Sequence, residues 1–331
     1  MKNKLLKTLL GIFVAAVFLF LSLRNQPIKD ILSTVFSAKI GYVLLALLFY
    51  FISYIARSEK WRIQVENLNY KVAPKTAFYA LMLHFFTNSF TIKLGAFVRC
   101  GNLRKTASVP FSSCLGSYLS ECVFDFLFMF TGILIVLTIK FDEVLAILVK
   151  LLNDWGITKL FNNPLFVTVF VVVLVGVIVL CAVLYKKKLI FKKYHSKIKE
   201  FVDSVKMTFK LKRFFIFLMW GVLLWGMLFF MNLFLFKALF NNEISFIFVY
   251  TLTTFTYAAW LIPSPGGIGS VEYFVLQAFL LFGLSETSAL AFGILSNGFT
   301  LLSTLFFGFV LIIIQSIFGV FVQKDKNTQP A

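Results

Sequence analysis

Acidic residues are scarce in this chain: 14 Asp and Glu stand against 32 Lys and Arg in 331 residues, and charge of both signs amounts to 14%. Histidine is scarcer still, with two residues. The four cysteines, Cys100, Cys114, Cys122 and Cys181, sit in or beside apolar runs without ligand spacing. Neither a metal site nor a disulfide framework is expected from them, and they read as small buried hydrophobes. No cofactor is expected. Long polar stretches are missing as well. In their place stand 60% hydrophobic residues, 44 of them Phe, and a mean hydropathy of +0.91, more than a soluble domain of this length carries. The chain reads as an all-α polytopic membrane protein, one transmembrane domain over residues 1–331.

The net charge of +18 raises nucleic acid as a partner. The basic residues fall in short segments between apolar runs, however, and no folded basic module of a recognised kind is visible. Membrane topology and anionic lipid explain them better, and no nucleic-acid partner is expected.

Taken in order, Lys2, Lys4 and Lys7 precede the apolar run Leu5 to Leu23, long enough to span and without a small-x-small cleavage site after it, so an uncleaved first helix is expected. Ile40 to Ala56 is the second run, and Arg57 to Arg62 with Trp61 marks an interface. Thr76 to Ile92, followed by Lys93 to Arg99, has bases on both sides and reads as a re-entrant hairpin. Ser112 to Ile139 is a span with Cys114, Ser117, Tyr118, Glu121 and Asp125 on one helix face. Lys140 to Asn163 reads as a short, charge-balanced linker. Leu165 to Tyr185 spans again. Residues 189–212 read as a basic amphipathic helix on the membrane surface, with Phe191, Tyr194, Ile198, Phe201, Val202, Val205 and Phe209 opposite lysines. Phe214 to Phe236 spans, Ile244 to Ile262 leads into a break, Val271 to Phe282 leads out, and Ser285 to Val322 holds the last span.

That break is Pro263-Ser264-Pro265-Gly266-Gly267-Ile268-Gly269-Ser270-Val271-Glu272. Two prolines and three glycines within seven residues cannot continue a helix. Broken backbone at membrane depth survives only where protein or a water-filled cavity surrounds it, which makes the break a candidate site.

With the N-terminus cytoplasmic, residues 1–7, 57–105, 186–213 and 324–326 lie inside and hold 25 of the 32 Lys and Arg. Positive charge therefore predicts a bacterial inner-membrane protein with both termini cytoplasmic. The order span, span, hairpin, span then occurs twice, in halves 1–150 and 160–322. About six full spans plus two re-entrant helical hairpins result, and an odd number of crossings per half makes the repeat an inverted one.

At these residues the chain resembles the lysylphosphatidylglycerol synthase transmembrane family, a flippase-like family that includes the N-terminal membrane part of the bacterial multiple peptide resistance factor. The resemblance runs along nearly the whole chain. It is carried by Arg57 with Trp61 and Arg62, by Asn88, Gly95 and Arg99, by Glu121 and Asp125, and most specifically by Pro263, Pro265, Gly266, Gly267, Gly269 and Glu272. Two positions depart from the family pattern. Gly95-Ala96-Phe97-Val98-Arg99 lacks the acid of Gly-Glu-x-x-Arg, and Glu121-Cys122-Val123-Phe124-Asp125 lacks the arginine of Glu-Arg-x-x-Asp. One acid and one base are missing together, so no role of that pair carries over. The resemblance implies handling or translocation of phospholipid or lipid-linked headgroups. Since no aminoacyl-transferase segment follows Val322 in this sequence, it does not imply lysyl transfer, and a transporter-like role is expected rather than an enzyme.

The candidate substrate-binding residues are Arg57, Asn88, Lys93, Arg99, Glu121, Asp125, Pro265, Gly266, Gly267, Gly269, Glu272 and Asn297. Glu121 and Asp125 each cost roughly 2.5–3.5 kcal/mol at the bilayer centre and should face the bundle interior, either as ligands or paired with Arg57, Lys93 or Arg99. Gly266 to Gly269 before a half-helix offers N–H donors to a phosphate or carboxylate, whereas Glu272 either joins that site or caps the helix by reaching back to Gly269. His84 reads as a satisfied buried histidine, and Gly293, Asn297, Thr300, Thr304 and Gly308 as a packing stripe. The expected partner is an anionic phospholipid or lipid-linked phosphate. Two rival readings are a membrane-embedded transferase, for which Glu121, Asp125 and His84 are too few and too scattered, and a scaffold for a partner enzyme. The sequence does not set the oligomeric state.

Overall fold

The computed structural model describes residues 28–154, 210–241 and 243–320, with Asp203 and Lys206. Every regular element among the described residues is helical: α1 (Ile28–Phe36), α2 (Ile40–Glu66), α3 (Pro74–Phe90), α4 (Gly95–Ala107), α5 (Phe111–Ile139), α6 (Phe141–Asp154), α7 (Phe214–Leu239), α8 (Phe246–Ala259), a 3-10 turn (Pro265–Gly267), α9 (Ser270–Leu281) and α10 (Glu286–Phe318).

Helices α2, α5, α7 and α10 have 27, 29, 26 and 33 residues and are apolar enough to cross a membrane. At 1.5 Å per residue each exceeds a hydrocarbon core of about 30 Å. Their outward faces are apolar, with Phe215, Met219, Leu302 and Phe306 all exposed, as a lipid-facing surface requires and a water-facing one does not tolerate. These four match four of the expected spans. The runs Leu5 to Leu23 and Leu165 to Tyr185, and nearly all of the surface helix 189–212, lie outside the described residues.

Two readings change. Lys140 to Asn163 is not a plain linker, because α6 occupies Phe141–Asp154. Its apolar residues Phe141, Val144, Leu145, Leu148, Val149 and Leu152 recur at helical spacing, and Asp142 and Glu143 favour its N-terminal end. The second apolar run does not end its helix at Ala56 either, since the Arg57 to Arg62 segment continues it. Helix α2 continues to Glu66, and Lys60, Trp61 and Gln64 are 0% exposed, since α4, α5 and α7 close around them.

Between the long helices stand two helical hairpins. The first, α3 and α4, starts with Pro74 at a first-turn position where its missing N–H costs nothing, and turns at Thr91 to Leu94 with Lys93 at φ 56°. Gly95 lets the arms close: a Cβ there would sit 2.8 Å from Asn88 Oδ1. The second hairpin is α8, the turn, and α9. Ser245 caps α8 by accepting from Phe248 N at 3.2 Å.

The contacts at the helix ends sort them onto two sides. Glu66 and Arg213 approach to 3.8 Å, and Asn67 Oδ1 accepts from Lys212 N at 3.3 Å, so the ends of α2 and the start of α7 share one side. On the other, Lys39 N donates to Ala238 O at 2.9 Å and Lys140 Nζ lies 5.2 Å from the Phe282 ring. The α3–α4 hairpin therefore reaches inward from the first side and α8–α9 from the second. Their tips meet in the middle, where Lys93 Nζ donates to Trp260 O. A Phe cluster of Phe236, Phe248, Phe279 and Phe292 packs the second side, and a cluster around Trp61, Cys100 and Cys114 packs the first. The site lies between them.

Candidate functional site

Helical spacing brings Tyr50, Tyr54 and Arg57 of α2 to one face, as it does Tyr118, Glu121 and Asp125 of α5. With His84 and Asn88 of α3, Arg99 of α4 and Tyr257 of α8, these faces surround a cavity of about 220 Å³. Exposed Cys122, Phe126 and Leu261 also line it, which puts its mouth on the flank of the bundle between α5 and the second hairpin tip.

Charge inside this cavity is buried and mostly paired. Asp125 is shared by three donors. Arg57 Nη1 lies 2.6 Å from Oδ2, Tyr257 OH donates to the same oxygen at 2.7 Å, and Lys60 Nζ donates to Oδ1. Arg57 also donates to Tyr257 OH at 3.2 Å and is flanked by the rings of Phe85 and Tyr257 at 5.7 and 5.6 Å. A carboxylate that accepts from a guanidinium, an ammonium and a phenol is compensated in a way that a lone intramembrane Asp is not.

Glu121 and Arg99 form the second pair, with Arg99 Nη1 2.9 Å from Oε2, while Arg57 Nη1 stands 3.7 Å from Oε1. The first approach is off the hydrogen-bonding angle and the second is too long, so neither Glu121 oxygen accepts a hydrogen bond. Arg99 is 1% exposed, its Cζ 3.4 Å from the centre of the Trp61 ring, and Trp61 is itself fixed by donating Nε1–H to Ser117 Oγ at 3.1 Å. Arg99 Nε and Nη2 have no partner. These two atoms carry the parallel N–H pair on one edge of the guanidinium, the edge that binds a carboxylate or phosphate side-on. Three cationic side chains, Arg57, Lys60 and Arg99, thus meet two carboxylates here.

Of the twelve sequence-derived candidates, Arg57, Asn88, Lys93, Arg99, Glu121 and Asp125 come together around the cavity. Pro265, Gly266, Gly267, Gly269, Glu272 and Asn297 build the tip behind it. There the N–H of Gly267 reaches Ser264 O at 3.4 Å, that of Ile268 reaches Pro265 O at 3.2 Å, and that of Gly269 donates to Glu272 Oε2 at 2.7 Å. Asn297 Nδ2 donates to Glu272 Oε1 at 3.0 Å. Glu272 is therefore the cap of α9, and an anion at these N–H groups would have to displace it. The positive φ of Gly266, Gly267 and Gly269 (61°, 73° and 82°) explains why glycine stands at each.

Lys93 pairs with neither carboxylate; it latches the tips through Trp260 O. Ala96 is buried in the first hairpin, and Cys122 stands at the cavity mouth, so the two departures from the family pattern lie in different surroundings. Sequence reasoning missed Lys60 and Tyr257. Lys60 follows Arg57 by three residues on a helix and so shares its face, a signal that the reading of this segment as an interface concealed. Nothing in the sequence marked Tyr257 out from the other tyrosines.

No curated protein and no solved structure matches the chain. The family model described as the lysylphosphatidylglycerol synthase TM region matches residues 8–308, and with the helices, tips and buried charges these residues build, the chain belongs to that family.

Proposed function

We propose that this integral membrane protein takes the anionic headgroup of a phospholipid or lipid-linked phosphate into the cavity between its hairpin tips and passes it across the bilayer. The observation that carries this reading is the unpaired side-on edge of Arg99, buried in a cavity whose mouth is rimmed by exposed Phe126 and Leu261. A buried guanidinium donor pair that no protein acceptor reaches has the geometry to hold an oxyanion side-on. The size supports a headgroup: about 220 Å³ is below the roughly 300–1,000 Å³ usual for pockets that enclose a whole small ligand, so acyl chains would stay outside among the lipids. In this reading both hairpins are re-entrant, the two halves are an inverted repeat, and the 25 basic residues face the cytoplasm of a bacterial inner membrane together with both termini.

The test uses the full chain in phosphatidylglycerol vesicles containing a fluorescent phosphatidylglycerol, with movement read by quenching from outside. Parent protein should move the probe, Arg99→Gln should reduce movement to that of empty vesicles, and Lys206→Gln should leave it nearly unchanged. Equal movement by the parent and Arg99→Gln would refute the reading.

A further inference from the structure

The second hairpin leaves one carbonyl open at its tip, and the sequence shows why. At the end of α8 the N–H groups of Trp260, Leu261 and Ile262 bond back to Tyr257 O, Ala258 O and Ala259 O at 3.1, 3.0 and 3.1 Å. The next carbonyl, Trp260 O, would take its bond from residue 263 or 264. Pro263 has no N–H, and Ser264 N turns instead to Ile262 O at 2.8 Å. Trp260 O therefore stands at the negative end of α8 without a backbone donor among the described residues, and the Lys93 ammonium takes that place.

Lys93 comes from the other hairpin, and its backbone is not one that lysine adopts readily. It stands at φ 56°, in the left-handed region that suits glycine or asparagine. The turn around it is fixed by Thr91 Oγ1, donating to Thr87 O at 2.7 Å, and by Asn88 Oδ1, accepting from Gly95 N at 2.8 Å. What lysine contributes at this position is its side chain. The tips also pack, since a Cβ on Gly266 would lie 3.5 Å from Ser89 O, but the polar link between them among the described residues is Lys93 Nζ to Trp260 O. Unlike Arg99 and Glu121, Lys93 is exposed, and it lines the cavity together with exposed Cys122 and Leu261 at the mouth.

Resting on the reading given under Proposed function, we propose that Lys93 is the residue through which the site detects an anionic headgroup: a phosphate or carboxylate arriving at the mouth takes the ammonium from Trp260 O, and the hairpin tips separate. The exchange runs in that direction because an ammonium binds a charged oxygen more strongly than a neutral carbonyl. Lysine suits the task, being a point charge on a flexible stem that can turn from one acceptor to another. A net-neutral lipid such as phosphatidylcholine brings a cation of its own towards Arg57, Lys60 and Arg99, and leaves the link closed. Lys93 is in this sense a positioning and specificity residue, and Arg99 remains the one that holds the anion.

The experiment places the full chain, cysteine-free apart from Phe90→Cys and Ile268→Cys, in nanodiscs and reads the separation of nitroxides on the two tips from their dipolar coupling. Both positions are exposed. Coupling should be strong in phosphatidylcholine and weaken in phosphatidylglycerol. Lys93→Met removes the ammonium and should give weak coupling in both lipids. Lys93→Gly, which also relieves the left-handed turn, should do the same, so that one variant serves where the other fails to fold. In vesicles, the parent's preference for moving fluorescent phosphatidylglycerol over fluorescent phosphatidylcholine should fall about tenfold in Lys93→Met, as loss of a hydrogen bond to a charged group implies. Inorganic phosphate added to phosphatidylcholine nanodiscs separates the sources. A response to phosphatidylglycerol but not to phosphate assigns the release to the lipid headgroup, and a response to phosphate assigns it to the free anion, with the Lys93 exchange supported in both cases. Equal coupling of the parent under all these conditions, or coupling in Lys93→Met as strong as in the parent, would overturn the inference. Movement of phosphatidylglycerol by the parent and not by Arg99→Gln would then leave the reading under Proposed function standing. Lipid-dependent coupling that Lys93→Met abolishes, in a parent that moves no lipid, would support the Lys93 exchange and refute translocation.

Discussion

The guanidinium of Arg99 sits over the indole of Trp61, its Cζ 3.4 Å from the ring centre, and both side chains are essentially inaccessible to solvent. Stacking holds the plane of the guanidinium, and Glu121 holds one end by charge alone, 2.9 Å from Nη1. The opposite edge is consequently free of protein partners while its orientation is fixed. Preorganisation of this kind lowers the entropy lost when an anion binds.

A planar requirement follows for position 99. Arg99→Lys keeps the positive charge beside Glu121 but has neither a plane to stack on Trp61 nor a paired edge. Movement of fluorescent phosphatidylglycerol should fall as far as it does for Arg99→Gln, and the elution profile of the purified protein should stay that of the parent. Activity close to the parent's would mean that charge, not geometry, is what the site uses.

Asp125 should be the costliest single polar substitution. Asp125→Asn leaves the buried Arg57 and Lys60 without their shared carboxylate, a situation worth about 3–5 kcal/mol in stability. Lys60→Met should cost clearly less, because Arg57 and Tyr257 still satisfy Asp125. Denaturant unfolding in detergent measures both, and the reverse order would show that Lys60 holds the network together.

The tip residues should act through stability before they act through a ligand. In Glu272→Gln one of the two donors, Gly269 N–H or Asn297 Nδ2, loses its acceptor, at a cost of about 1–2 kcal/mol. Gly267→Val forces a β-branched residue to φ 73° with its Cβ 3.0 Å from Val271 Cγ2, which adds strain of about 1–3 kcal/mol. Melting temperatures should drop for both. Parent-like melting combined with lost lipid movement would make the turn a ligand contact instead.

Topology is open to a direct check. Single cysteines placed near Lys188, Arg213 and the C-terminus of a cysteine-free chain should all resist an impermeant thiol reagent applied to intact cells, whereas one at Asn241 should react. The Glu66–Arg213 contact motivates grouping the α2 end with the basic segment that leads into α7. Reaction near Lys188 from outside would invert or break the proposed arrangement.

The sequence by itself determined the class of molecule, four of the spans seen in the structure, the place of both hairpins and the family. Those features are written in hydropathy, charge and backbone chemistry, and each is local: about twenty apolar residues, a run of lysines, a Pro-Gly break. It also located Arg57, Arg99, Glu121 and Asp125 as residues to watch, since charge inside a span has few reasons to be there. Tertiary structure alone decided which charge meets which. Asp125 takes Arg57 and Lys60 from a helix some sixty residues earlier in the chain and Tyr257 from a helix beyond residue 240. It decided too that Glu272 closes the glycine turn, and that Asn88 of one hairpin arm accepts from the Gly95 N–H of the other. A helix face can be counted along the chain, but hydrogen-bond direction depends on the partner brought up from another helix, and that partner is known only once the helices have packed.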